Sequence, residues 1–252
     1  MTCIHLRNVV VDLPIYNARA RSLKRSVMAL SIGGRIGHDE RDRVVVRALD
    51  GINLELNDGD RVGLIGHNGA GKSTLLRIMA GLCEPTAGRV EIQGRVSSLL
   101  SLGAAMDPEM TGIENIEHVG ALVGIPPHRW AGLREEISTL SGLGAFLDLP
   151  VRTYSTGMQL RLSFALLTAQ EPDILLLDEA IGVGDAQFAK TAERRIQELG
   201  ERARILVLAS HSSSHLRSLC DTIVWLEHGC VHMTGPTDEV LEAYAANARQ
   251  QE

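Results

Sequence analysis

One glycine-rich stretch has the residue types and the spacing of a phosphate-binding loop. It reads Gly66-His67-Asn68-Gly69-Ala70-Gly71-Lys72-Ser73-Thr74, which matches the P-loop pattern G-x-x-x-x-G-K-S/T. Glycines allow backbone angles that point successive N–H groups at phosphate oxygens. In such loops the lysine reaches the β- and γ-phosphates of a nucleotide, and the next hydroxyl binds Mg²⁺. The stretch therefore predicts a nucleotide phosphate site built around Lys72 and Ser73.

Two carboxylates follow an apolar run much later in the chain. The run reads Asp173-Ile174-Leu175-Leu176-Leu177-Asp178-Glu179, and four consecutive apolar residues are typical of a buried strand in a parallel sheet. Ligands of open α/β sheets bind outside the carboxyl ends of such strands. We therefore expect Asp178 to hold Mg²⁺, directly or through water, and Glu179 to polarise the attacking water. The alternative is that both carboxylates only cap the next helix.

A histidine follows a third apolar run, Arg204 to Ala209. At that sheet edge, His211 is a candidate contact for a γ-phosphate, although a histidine at a strand end is more often structural. His215 lies four residues further on, but the intervening serines are poor metal ligands. A metal-binding histidine pair is therefore not predicted.

The elements that would position these residues predict an α/β fold. The P-loop follows an apolar run at 61–65 and precedes a helical pattern at 75–80, which is the context that the motif requires. A hairpin is expected over 222–235, and residues 105–168 are mostly helical in pattern and suggest an inserted helical subdomain. Further strands are predicted at 4–13, 44–46, 52–56, 89–94 and 95–100, and helices at 114–123, 127–140, 158–169 and 238–248.

Composition excludes several classes of protein. The chain of 252 residues is 44% hydrophobic and carries a net charge of −6, which suits one large globular domain and argues against a general nucleic-acid binder. The four cysteines are scattered, so neither a disulfide framework nor a zinc site is indicated. No apolar run approaches the roughly 18 residues that span a bilayer, and no secretory signal is expected at the start.

Residues 18–47 differ from the rest of the chain because they hold eight basic and three acidic residues. Leu23, Val27 and Leu30 form an apolar stripe beside several of these basic residues. The pattern predicts a short basic amphipathic helix that lies on anionic lipid or on a partner protein. An ordinary solvated helix in an insertion is the equal alternative.

Taken in order, the motifs resemble those of ATP-binding subunits of ABC transporters. The resemblance lies in the P-loop, in Tyr154-Ser155-Thr156-Gly157-Met158-Gln159, in Leu175 to Glu179, in Val183-Gly184-Asp185 and in His211. In that family these are Walker A, the signature loop, Walker B with its catalytic glutamate, the D-loop and the switch histidine. The resemblance implies the fold class, an α/β P-loop NTPase core with a predominantly parallel sheet, an antiparallel β-subdomain and an inserted helical subdomain.

The same resemblance implies ATP with Mg²⁺ and a head-to-tail homodimer. In such a dimer, Ser155, Thr156 and Gly157 of one chain complete the γ-phosphate site of the other, and Asp185 lies at the nucleotide. Tyr16 follows the first predicted strand, where the family places an aromatic that stacks on adenine; its spacing alone favours a packed strand-end tyrosine instead. One ABC nucleotide-binding domain over residues 1–252 is expected, without a C-terminal carbohydrate-binding domain.

The particular residues in these motifs are similar to those of the branch that exports polysaccharides such as O-antigen, capsule or teichoic acid. Tyr154 to Met158 replaces the common Leu-Ser-Gly-Gly-Gln, and Asp178 to Asp185, residues 98–104 and residues 108–112 also resemble this branch. The branch implies a separate permease, a lipid-linked polysaccharide, a peripheral position on the cytoplasmic face of the inner membrane, and no nucleic acid. Two departures are a missing glutamine between Leu102 and Met106, and Thr156 in place of a glycine.

Three alternatives remain. Another ABC exporter, acting on a drug or a small lipid, is the nearest. A soluble ABC-type ATPase acting on nucleic acid or ribosomes would carry coiled-coil insertions, zinc fingers or two cassettes, and none is visible. A regulatory nucleotide-binding module without turnover is disfavoured by the intact Glu179 and Ser73.

Overall fold

The computed structural model describes residues 1–14, 35–38, 44–98, 105–169, 171–178 and 186–250. The chain forms two compact units. The first comprises Met1–Gly94 with Arg204–Glu252, and the second comprises Arg95–Ala203. The basic helix predicted around Leu23 to Leu30 lies outside the described residues.

An antiparallel sheet in the first unit confirms the predicted antiparallel β-subdomain. Its strand order is β2-β3-β1-β5, with β1 at Cys3–Pro14, β2 at Arg35–His38, β3 at Val44–Asn57 and β5 at Ala87–Gln93. The prediction of two separate strands at 44–46 and 52–56 was wrong, because β3 runs through both. Its pairing with β1 is interrupted by three register shifts, yet β3 continues as one strand.

A second set of strands in this unit carries the P-loop. Strand β4 is parallel to both β8 and β9, and β10 is antiparallel to β9, which confirms the predicted hairpin. The bounds are Arg61–Ile65 for β4, Ile205–Ala209 for β8, Thr222–Glu227 for β9 and Cys230–Pro236 for β10. The helices are α1 (Lys72–Met79), α6 (Ser213–Leu219) and α7 (Thr237–Gln250).

Helix α6 was not predicted from the sequence. Its serine run resembles a polar loop, but Ser212 caps the helix: its side-chain oxygen accepts a hydrogen bond from the backbone N–H of His215 at 3.4 Å. Leu216 is buried and fixes the short helix to the unit.

The second unit contains a parallel strand pair and four described helices. Strands β6 (Val96–Ser98) and β7 (Ile174–Leu177) pair in parallel. The helices are α2 (Gly112–Leu122), α3 (Trp130–Ser141), α4 (Thr156–Thr168) and α5 (Ala186–Arg202), with 3₁₀ turns at Pro127–Arg129, Gly144–Asp148 and Val151–Thr153. Helix α2 begins with a capping box between Thr111 and Glu114.

Helix α5 was not predicted from the sequence either. Its buried stripe of Phe188, Ala192, Ile196 and Leu199 has helical spacing. The predicted set of helices is therefore corrected by adding α5. Of the helices just described in both units, none has the length and apolar character needed to cross a lipid bilayer.

Candidate functional site

The P-loop leaves the carboxyl end of a buried strand and enters a helix, as the motif requires. Residues 62–65 of β4 are buried, and Gly66 follows with a φ of 146°. A Cβ atom at Gly66 would lie 2.2 Å from the carbonyl oxygen of Leu226. The backbone can therefore make this turn against β9 only without a side chain at position 66.

The lysine of the loop is folded back over its own backbone. The side chain of Lys72 is buried, and its Nζ donates to the carbonyl oxygen of Gly66 at 2.6 Å and to that of His67 at 3.4 Å. An ammonium group is thus fixed inside the ring of the loop. Ser73, the next residue of α1, carries a hydroxyl group and is exposed.

The first turn of α1 is left open to an anion. Gly71 occupies the cap position in a left-handed conformation and offers no side-chain cap, and the first turn contains no acidic residue. The N–H groups at a helix start carry a partial positive charge and need acceptors. Together with the Lys72 ammonium, they form a site suited to phosphate oxygens.

Two other strands hold the rear of the loop. The N–H of Gly229, in the turn between β9 and β10, donates to the carbonyl oxygen of Ala70 at 3.1 Å. The N–H of Asp50 in β3 donates to the carbonyl oxygen of Gly229 at 2.8 Å. Sequence reasoning predicted the hairpin but did not find this contact, because a turn pattern does not tell where the turn packs.

His211 leaves the same sheet edge as the P-loop. Strands β4 and β8 are parallel, and Leu64 pairs with Ala209. Gly66 and His211 each lie two residues beyond that pair, and His211 is exposed. Parallel strands end at one edge, so the structure brings the histidine and the start of the loop to a common edge.

The serine of the predicted signature loop caps α4 in the second unit. The Ser155 side-chain oxygen accepts a hydrogen bond from the N–H of Met158 at 3.3 Å. Thr156 is exposed and Gly157 is half-buried in the first turn of the helix. The loop therefore presents a helix start at the surface, which is a suitable site for an anion.

A buried tyrosine anchors this loop from behind. The Tyr154 hydroxyl donates to the carbonyl oxygen of Phe146 at 2.7 Å, and burial, aided by the Asp148 carboxylate, raises the pKa of Tyr154. A Cβ atom at Gly112 would lie 2.4 Å from that hydroxyl. The anchoring role of Tyr154 was not predicted from the sequence, although an aromatic residue with a hydroxyl group next to the loop was a usable signal for it.

The remaining predicted site residues fall into two groups. Asp178 is half-buried and directly follows the buried strand β7, as expected for a residue at a carboxyl strand end. Tyr16, Glu179 and Asp185 lie outside the described residues, so their roles stay predictions. The Ser73 hydroxyl and the Asp178 carboxylate are hard oxygen donors, the type that Mg²⁺ prefers.

Comparison with protein families identifies a match over the P-loop and beyond. A family profile described as ABC transporter matches residues 49–182. The chain is 47% identical to the O-antigen export system ATP-binding protein RfbE of Yersinia enterocolitica, over 92% of this chain and 97% of that protein. It is 41% identical to the O-antigen export system ATP-binding protein RfbB of Myxococcus xanthus, over 81% of this chain.

Other relatives are longer than this chain. The teichoic acids export ATP-binding protein TagH of Lactococcus lactis is 36% identical over 89% of this chain. The alignments cover 47% of the length of both the Myxococcus and the Lactococcus proteins. Among solved structures, a dimeric ATP-binding cassette bound to ADP and phosphate matches with a TM-score of 0.68 at 19% identity, over 93% of this chain and 98% of that one.

Proposed function

The chain belongs to the ABC transporter family, and we propose that it is the ATP-hydrolysing subunit that powers export of a lipid-linked polysaccharide through a separate permease. The observation that carries the nucleotide part is the P-loop closed by Lys72 at the start of α1. The similarity to RfbE along nearly its whole length supports polysaccharide export. The TagH relative supports the same class of cargo, a cell-envelope polymer.

ATP binds through the first unit in this proposal. The N–H groups of the loop and of the first turn of α1 take the phosphates, and the Lys72 ammonium neutralises the β- and γ-phosphates. Tyr16 stacks on the adenine. When bound, Mg²⁺ would be held by Ser73 and Asp178 and would neutralise charge on the phosphates.

Hydrolysis requires a base, a γ-phosphate contact and a second chain. Glu179 orients and polarises the attacking water, and His211 contacts the γ-phosphate from the sheet edge that it shares with the loop. Ser155, Thr156 and Gly157 of a second copy close the site from the opposite side, with Asp185 beside it. The exposed start of α4 supports this role, because a helix start must be accessible to meet another chain's nucleotide.

The subunit would therefore act as a homodimer beneath a permease. Binding two ATP molecules draws the chains together, and hydrolysis lets them part, which moves the permease. The site of action is the cytoplasmic face of the bacterial inner membrane, where the chain is peripheral. The basic segment 18–47 would contact the permease or anionic lipid there.

Glu179→Gln tests the enzymatic part. The variant is expected to bind ATP and to form a stable dimer with ATP and Mg²⁺, but to release no phosphate, since the amide cannot accept the water proton. Light scattering after size exclusion reports the dimer, and a phosphate-release assay reports turnover. Glu171→Gln, an exposed acid in the same unit, is the matched control and should hydrolyse like the wild type. Unchanged hydrolysis by Glu179→Gln would remove that residue from its role.

The cargo is tested in cells. A strain lacking the gene should keep its lipid-linked polymer inside and lose surface polysaccharide, and only the wild-type gene, not Glu179→Gln, should restore it. Surface polymer is measured by labelling intact cells. Normal surface polysaccharide in the deleted strain, or ATPase activity stimulated by nucleic acid and not by the permease, would contradict polysaccharide export.

A further inference from the structure

The turn that touches the rear of the P-loop contains a residue that the turn alone would not select. His228 and Gly229 are the two residues between β9 and β10, and both have positive φ angles, 48° and 80°. Two-residue hairpins of this type favour asparagine followed by glycine. Histidine can adopt this conformation, but the turn geometry gives no reason for an imidazole ring at position 228.

The ring of His228 has a neighbour in the P-loop. Its centroid lies 5.0 Å from that of the His67 ring, and the two planes are inclined by 55°. The backbone fixes this approach, since Gly229 is hydrogen-bonded to both Ala70 and Asp50. A Cβ at Gly229 would lie 2.8 Å from the carbonyl oxygen of Ala48, so the turn packs closely against β3.

His67 is held by only one of its ring nitrogens. Its Nδ1–H donates to the carbonyl oxygen of Asn68 at 2.8 Å. Its Nε2 is enclosed and has no hydrogen-bond partner in the described part of the chain. The His228 ring packs against this imidazole and adds contacts beyond its single hydrogen bond.

The orientation of His67 matters for the phosphate site. The carbonyl oxygen of His67 is the second acceptor of the Lys72 ammonium, at 3.4 Å. The same residue is bonded through its ring to Asn68, the next residue of the loop. The hydrogen bond to Asn68 thus ties the His67 ring to the same stretch of backbone that accepts from the ammonium.

We propose that His228 is a positioning residue for phosphate binding: it acts through the ring of His67 to hold the P-loop backbone and the Lys72 ammonium in place. The inference rests on the proposed function, since it concerns the same phosphate site. It adds a residue from the β9–β10 turn, far along the chain from the P-loop motif.

His228→Asn separates positioning from simple stability. Asparagine is at least as good as histidine in the turn, so the thermal midpoint of the nucleotide-free chain should equal or exceed that of the wild type. The ATP·Mg²⁺-induced rise in midpoint should shrink, because that rise reflects affinity. We expect the dissociation constant for ATP, measured by calorimetry, to increase roughly threefold to tenfold.

His232→Asn is the matched control. His232 lies in β10 of the same hairpin. Its ring centroid lies 4.1 Å from that of Trp225, and its Nδ1 lies 3.1 Å from Oε2 of Glu227. This variant should leave ATP affinity unchanged. If His228→Asn lowers the nucleotide-free midpoint, His228→Gly, which also accepts a positive φ, gives the same comparison.

The outcomes distinguish this inference from the proposed function. A wild-type chain that shows no response to ATP would refute the proposed function. The positioning role alone would be overturned if the wild type binds ATP and both position-228 variants bind it with an affinity within about twofold of the wild-type affinity. The positioning role would also be overturned if His232→Asn weakened the response to ATP as much as His228→Asn does. The effect would then belong to the hairpin as a whole.

Discussion

The ammonium of Lys72 lies 2.6 Å from the carbonyl oxygen of Gly66, the first residue after β4. The loop between them is therefore closed by its own lysine. A phosphate that enters the loop meets a charge already fixed in position. Binding therefore costs little further side-chain conformational entropy.

Replacing Lys72 with alanine should abolish most nucleotide binding while leaving the fold intact. A hydrogen bond to a charged group contributes about 1.5–3 kcal/mol, so we expect a loss in ATP affinity of roughly tenfold to a hundredfold. Arg77→Ala, an exposed cation in the same helix, is the control. Calorimetric titration with ATP decides, and equal affinities for the two variants would contradict the assignment of Lys72.

Gly66→Ala should damage the loop far more than a glycine substitution in open space. A Cβ at Gly66 meets the carbonyl oxygen of Leu226 at 2.2 Å and the Cβ of Ala70 at 2.9 Å, whereas a Cβ at Gly59, also at positive φ, meets nothing within 4 Å. We expect Gly59→Ala to lower the free energy of unfolding by about 1 kcal/mol through backbone strain alone. Gly66→Ala should lose more than about 2 kcal/mol and also lose ATP binding.

Urea unfolding and ATP titration of both glycine variants provide the measurement. If Gly66→Ala and Gly59→Ala lost the same stability and both still bound ATP, the close approach of β9 to the loop would be irrelevant.

The site was predictable from sequence where the local pattern dictates the backbone. Strand β4 and the entry into α1 match the expected positions because the glycine spacing and the apolar run permit little else. Strand β7 was readable for a similar reason, since its four residues are all buried.

The parts that failed depend on capping or on tertiary contact. Helix α6 was missed because its serines are typical of a loop. The structure shows that Ser212 is the N-cap of this helix. Helix α5 is the exception, because its apolar stripe has a helical spacing that is visible in the sequence. The contact of His228 with His67 joins residues far apart in the chain, and no single-sequence pattern encodes such a contact.

Tyr154→Phe should weaken the anchor of the signature loop. It removes the hydrogen bond to the carbonyl oxygen of Phe146 and leaves that oxygen without this donor. The free energy of unfolding should fall by about 1 kcal/mol. ATP hydrolysis should fall as well, while ATP affinity of the isolated chain stays the same, because in the proposed homodimer the loop acts on the nucleotide of the partner chain.

The control for this variant is Tyr244→Phe, since the Tyr244 ring packs edge-on against Trp225 in the other unit. Chemical unfolding, calorimetry and phosphate release are the measurements. Reduced ATP affinity of the isolated Tyr154→Phe chain would contradict the separation of roles.

Stability at alkaline pH should depend on Cys220. Burial, reinforced by the Asp221 carboxylate and opposed by Arg61, raises the pKa of the Cys220 thiol from 9.0 to about 12. The raised pKa means that the folded chain keeps a proton that the unfolded chain releases. The contribution is fully present below pH 9 and is lost as the pH rises toward 12, with a slope of up to about 1.4 kcal/mol per pH unit.

Cys220→Ala removes the titrating group, so its unfolding free energy should fall less steeply above pH 9 than that of the wild type. The variant should be less stable near neutral pH, because it deletes a buried atom, and the difference from the wild type should narrow as the pH increases. Urea unfolding at several pH values measures both slopes. Cys83→Ala, which removes a less buried thiol from the same unit, should track the wild type, and parallel curves for Cys220→Ala and the wild type would mean that Cys220 does not carry the pH dependence.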